Sequence, residues 1–135
     1  KAVTEFQLPF NPQYIKIGDW GTDSGYRLTS ELLALPEPPT AVLVMNDVMA
    51  VGTLRAAAES GFSIPRDLSV VGFDNREFSD YLTPRITTMD LPLHEMGYSS
   101  MRMLTGLINE TEVKQEIQPL CRLLERESVA PPRQE

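Results

Sequence analysis

A doubly wound α/β fold built on a parallel sheet is what this sequence predicts, on three observations. Ala41-Val42-Leu43-Val44-Met45 is a continuous apolar run, and Leu68-Ser69-Val70-Val71-Gly72-Phe73 is a second, which is how parallel strands covered on both faces read. Segments of helical period lie between and beside these runs. Each run also stops at a pair of short polar side chains, Asn46-Asp47 and Asp74-Asn75. Parallel neighbours need crossover connections, and crossovers are right-handed, so a βαβαβ alternation predicts one such sheet. At 135 residues with 41% hydrophobic content, the chain has the length for one domain, or a fragment of a larger one.

The elements follow in order. Tyr14-Ile15-Lys16-Ile17 is expected as a short strand entering a turn at Gly18-Asp19-Trp20-Gly21. A helix capped by Thr22 or Ser24 carries Leu28, Leu32 and Leu35 on one face and ends at Pro36, Pro38 and Pro39. After the first apolar strand, either Asn46 or Asp47 caps a helix from Val48 to Ser60, with Gly61 behind its last turn. Ile64 to Asp67 turns the chain into the second strand. An irregular stretch to Thr83-Pro84 precedes the β-branched Ile86-Thr87-Thr88-Met89. Pro92 opens an amphipathic helix to about Asn109, whose Leu93, Met96, Met101, Leu104 and Ile108 recur at helical spacing. Glu116 to Leu124, interrupted by Pro119, reads as an edge strand, and the tail from Ala130 as loose.

Composition narrows the function. Nineteen acidic against twelve basic residues, a formal charge of -7, repel a phosphate backbone, so nucleic acid is not the expected direct partner of this segment. One cysteine and one histidine cannot make an internal disulfide or a Cys/His zinc site, and a reducing, cytoplasmic setting is expected. Neither a membrane-spanning run nor the apolar stretch of a secretion signal is visible. No Walker lysine, dinucleotide glycine spacing or nucleophile elbow occurs, and no catalytic set can be assembled. His94 is expected on a solvated helix face and Cys121 as a packed thiol, while Glu125 to Glu127 reads as a solvated charge run. No enzyme activity, cofactor or metal is expected.

Ligands of doubly wound sheets bind outside the carboxyl ends of the strands, which draws attention to three side chains. Trp20 follows a predicted strand, where an indole either packs under a loop or offers its flat face to a sugar or a base. Asn46 and Asp47 both suit helix capping; with one capping, the other is free for the cleft, and Asn46 is favoured there because it donates to and accepts from hydroxyls. Asp74 ends an apolar strand, so its carboxylate either receives vicinal hydroxyls or ring N–H groups, or merely bonds its own turn.

Taken together, Asn46-Asp47-Val48-Met49-Ala50-Val51-Gly52, Ile64-Pro65-Arg66-Asp67-Leu68-Ser69-Val70-Val71-Gly72-Phe73-Asp74-Asn75, and Tyr81-Leu82-Thr83-Pro84-Arg85-Ile86-Thr87-Thr88 resemble the C-terminal half of lactose- and purine-repressor family regulators. Gly18-Asp19-Trp20 with Ser24-Gly25-Tyr26-Arg27 resembles the preceding family block, and Arg122 to Ser128 the closing one, so the likeness runs through nearly the whole chain. The resemblance implies a periplasmic-binding-protein-like region of two lobes in a homodimeric, cytoplasmic repressor, which meets operator DNA only through an N-terminal domain not contained here. Residues 1–135 would then form a partial effector-binding domain: about 10–90 and 116–130 in the C-terminal lobe, and about 91–115 a helix belonging to the N-terminal lobe. By position, Trp20 would be the aromatic stacking residue, Asn46 a hydroxyl-binding residue and Asp74 the strand-end aspartate that binds sugar or purine. Leu91 and Leu93 stand where some members place further pocket residues, and both are apolar. The implied effector is a sugar first, and a nucleobase or nucleoside second. A periplasmic sugar-binding protein of an ABC transporter is the alternative, set apart by the regulator-like Thr83 to Thr88 segment.

Overall fold

The computed structural model describes residues 5–7, 11–111 and 120–131. Helix α1 spans Thr22–Leu33, strand β1 Ala41–Leu43, helix α2 Asp47–Glu59, strand β2 Ser69–Asp74, strand β3 Thr87–Asp90, helix α3 Leu93–Ile108 and strand β4 Arg122–Leu124, with short 3-10 turns at Pro12–Tyr14 and Glu77–Asp80. The four strands form one sheet in the order β1-β2-β3-β4. The first three are parallel, with Leu43 beside Val71 and Asp74 beside Asp90; β4 returns antiparallel to β3.

The core follows from the two apolar runs and the inward faces of two helices. Leu28 and Leu33 of α1, Met49, Ala50 and Ala57 of α2, and Leu68, Val70 and Ile86 from the sheet region form one buried cluster with Val44. Helices α1 and α2 approach closely because each places a glycine at the crossing. A Cβ on Gly25 would fall on the Met49 carbonyl, and one on Gly52 on the Thr22 carbonyl. Thr29 and Thr53 hydroxyls complete the contact at 2.9 Å. Gly61, at φ +77, ends α2 in the left-handed conformation that glycine adopts without strain, and Phe62 N–H then bonds back to the Ala57 carbonyl.

Three expectations about elements need correction. Tyr14 to Ile17 is no strand: Pro12–Tyr14 is a 3-10 turn, and Ile15 to Ile17 have no ladder partner among the described residues. Between them and β1 lies an apolar cavity of about 620 Å³, lined by Ile15, Ile17, Leu28, Leu43 and Met49 among others. Strand β1 is not covered on both faces, since Leu43 is 66% exposed, and it is the sheet edge among the described residues. Helix α1 is capped by Gly21, not by Thr22 or Ser24, and the Ser24 hydroxyl donates back to the Gly21 carbonyl at 2.9 Å.

The closing segment also differs. Strand β4 covers only Arg122–Leu124, and residues 116–119 of the expected edge strand lie outside the described residues. Cys121 is exposed, not packed. Of residues 125–127, only Arg126 departs from a solvated run. The chain continues extended beside β3, so alternate side chains point inward: Arg126 is 10% exposed and Ser128 fully buried, while Glu125 and Glu127 face water. Ser128 accepts from the Thr87 amide at 2.8 Å and donates to the Val70 carbonyl at 2.6 Å, stapling this segment across the sheet.

Candidate ligand site at the strand ends

The carboxyl ends of β1, β2 and β3 meet along one edge, and the candidate residues stand there. Asn46 follows β1, and its side chain is committed twice. Its Oδ1 accepts the Met49 amide at 2.7 Å as the cap of α2, and its Nδ2 donates to the Trp20 carbonyl at 3.1 Å. Asn46, favoured from sequence for the cleft, is therefore the capping residue, and one amide hydrogen and one carbonyl lone pair remain for anything else. Asp47 does not turn outward either. It is 0% exposed, directed under the end of β2.

Trp20 is held by that contact from Asn46 and by the turn below it, where the Gly21 amide donates to Asp19 Oδ1 at 3.0 Å. The Ser24 hydroxyl, then the Gly21 amide, hold the Asp19 carboxyl below the usual carboxylate range. Trp20 itself adopts φ 70, and 62% of it is exposed, so the indole is not packed under a loop. It lines the cavity along β1, whose wall includes neither Asn46 nor Asp74.

Asp74 ends β2. Continuing the register of Leu43 with Val71 sets it level with Asn46. Asp74 and Asn75 take φ 103 and φ 53, two successive left-handed residues without a glycine. Such geometry costs on the order of 1–3 kcal/mol per residue and persists only where surrounding bonds over-determine it. Those bonds are present. Arg76 N–H donates to Asp47 Oδ2 at 2.8 Å, Asn75 N–H to Thr88 Oγ1 at 3.3 Å, and Thr88 Oγ1–H to Asp47 Oδ1 at 2.7 Å. The Asn75 side chain donates to Asp90 at 2.8 Å and accepts from Arg126 at 2.9 Å. Asp90 in turn is held below the usual carboxylate range by Asn75 and then by Arg122. The Asp74 carboxylate, by contrast, accepts no hydrogen bond among the described residues. Burial, then the neighbouring Asp47 charge, raise its pKa.

The structure thus joins Trp20 to Asn46 directly and sets Asp74 on the neighbouring strand end. Sequence reasoning missed Asp47, Asn75, Thr88, Asp90 and Arg126 as the scaffold beneath Asp74. Asp47 and Asn75 are marked in the sequence as polar strand-end residues, but Arg126 carries no signal because its partners lie at distant positions in the chain. His94 and Leu93 are exposed, and Leu91 is half-buried. Among the described residues no group of His, Cys, Asp and Glu is arranged to hold a metal, and no helix is long and apolar enough to cross a membrane.

This geometry has relatives. Residues 1–129 match the periplasmic binding protein-like domain family. The chain is 39% identical over 131 residues to the HTH-type transcriptional repressor PurR of Escherichia coli, an alignment covering 96% of this chain and 38% of that protein. Among solved structures, it is similar to a sugar-binding transcriptional regulator of the LacI family from Escherichia coli, complexed with phosphate: TM-score 0.88, 27% identity, 96% of this chain and 47% of that one. A LacI family regulator from Enterococcus faecium with bound ribose superposes at TM-score 0.82, with 33% identity over 98% of this chain and 49% of that one. The chain therefore spans less than half the length of these relatives, and it belongs to the periplasmic binding protein-like domain family, in the form carried by LacI-family transcriptional regulators.

Proposed function

We propose that this chain is the larger part of the effector-binding region of a transcriptional repressor, and that a small sugar binds at the strand ends beside Trp20, Asn46 and Asp74. The observation that carries the reading is Asp74: a partly buried carboxylate without a hydrogen-bond partner among the described residues, at the carboxyl edge of a parallel sheet, on a turn of two left-handed residues. A carboxylate so placed accepts from vicinal hydroxyls or ring N–H groups, and the exposed Trp20 indole offers a flat apolar face to the ligand. The bound ribose and the sugar-binding description of two similar regulators favour a sugar over a nucleobase or nucleoside. Transport is not favoured, because the similar proteins are regulators.

In the whole protein, ligand would alter operator affinity by shifting a population between two lobe arrangements, with DNA bound through a separate N-terminal domain of a cytoplasmic homodimer. Helix α3 belongs in this reading with the other lobe, which its uncovered apolar stripe supports. No catalytic role is assigned. Thermal-shift titration of the full-length protein against sugars, sugar phosphates and purines tests the proposal, with stabilisation by a sugar expected and abolished in Asp74→Ala. A ligand that stabilises wild type and Asp74→Ala equally removes Asp74 from the site.

A further inference from the structure

We infer that Asp47 is the positioning residue for Asp74: its buried carboxylate holds the left-handed turn that sets where the Asp74 carboxylate stands. The inference rests on the reading of Asp74 as a ligand contact and extends it to a residue that touches no ligand. Asp47 is 0% exposed, and a buried carboxylate is costly unless its oxygens are bonded. Both are. Oδ2 accepts the Arg76 amide and Oδ1 the Thr88 hydroxyl, whose oxygen accepts the Asn75 amide in turn.

One side chain from the first turn of α2 therefore governs two consecutive amides directly behind Asp74. Its place at the amino end of α2 also favours the negative charge. Gly72 leaves the space: a Cβ there would collide with Asp47 Oδ1. On the other side, Arg126 and Asp90 hold the Asn75 side chain, so the turn is gripped from both flanks while the Asp74 carboxylate remains without a hydrogen-bond partner among the described residues.

The test uses the full-length protein, with amide hydrogen exchange at Asn75 and Arg76 and calorimetric titration with D-ribose. Asp47→Asn retains one carbonyl acceptor, so it is expected to speed Arg76 or Asn75 exchange at least tenfold and to weaken D-ribose binding at least tenfold. Should Asp47→Asn fail to fold, Thr88→Val carries the test: it is expected to reproduce both effects, and Thr88→Ser, which restores the hydroxyl, to reverse them. Wild-type exchange at both amides in Asp47→Asn or Thr88→Val overturns the inference, as does an opened turn with undiminished affinity. Asp74→Ala keeps the two readings separate. If it binds D-ribose like wild type, Asp74 is removed from the site, and if wild type does not bind, D-ribose is excluded as the ligand, while the exchange rates still decide whether Asp47 holds the turn.

Discussion

Asp74 stands under a tension that the structure leaves unrelieved. Burial and the Asp47 carboxylate raise its pKa above the ordinary value of 3.8. A carboxylate whose folded pKa is raised weakens the fold once ionised in both states, and the penalty disappears as falling pH protonates it. Asp74→Asn is accordingly expected to raise the melting temperature at neutral pH, with the gain shrinking to nothing below the ordinary carboxylate range, in scans of both proteins across pH. Ligand affinity has the matching dependence, falling as pH drops through the raised pKa, because a protonated Asp74 loses acceptor capacity. Asn46 combines a different pair of duties. Asn46→Ala removes the cap of α2 as well as the tie to Trp20, so a loss of about 0.5–2 kcal/mol should appear in denaturant melts without ligand. A variant as stable as wild type argues against the cap. Trp20 should emit as a solvated indole and shift to the blue with bound sugar; unchanged emission at saturation would show that the ring makes no contact.

At the level of elements, the pairing of α1 with α2 depends on two absent side chains. Gly52→Ala forces a methyl group onto the Thr22 carbonyl, and Gly25→Ala forces one onto Met49. Although alanine is the better helix former by propensity, overpacking of this kind typically costs about 1–3 kcal/mol and should dominate. Urea denaturation measures it, and a stabilised Gly52→Ala would mean that the helices separate at little cost. The helix positions themselves were legible in the sequence, since Leu28 and Leu32 mark the buried face of α1 and Gly61 the end of α2. Their intimacy was not, because a glycine within a helix reads locally as a weakness. Only the crossing gives Gly25 and Gly52 their reason.

For the molecule as a whole, the unresolved balance is apolar surface. Leu93, Met96, Met101, Leu104 and Ile108 are exposed along α3, as are Ile15, Ile17 and Leu43 beside the β1 cavity. Full burial of one such side chain is worth about 1.5–3 kcal/mol, so the stripe of α3 favours association over hydration. The 135-residue chain alone is expected to self-associate in sedimentation velocity, and Leu104→Glu with Ile108→Lys to return it to monomer without lowering its melting temperature. In the full-length protein the same pair should destabilise if another lobe covers α3. Monomeric behaviour of the unsubstituted chain at high concentration would show that the stripe tolerates water.

The sequence by itself determined the parallel α/β layout, the strand ends at Asn46 and Asp74, and the amphipathic character of α3. Each depends on local periodicity or on a polar residue stopping an apolar run, and those signals lie within a few residues of one another. Tertiary structure alone decided that Asn46 caps, that Asp47 turns inward against Gly72, and that Arg126 reaches Asn75. It also left Ile15 to Ile17 without a ladder among the described residues, because a strand exists only where a neighbour supplies its hydrogen bonds. Capping, burial and ladder formation are settled by which groups compete for the same partner in space, and a linear pattern carries no record of that competition.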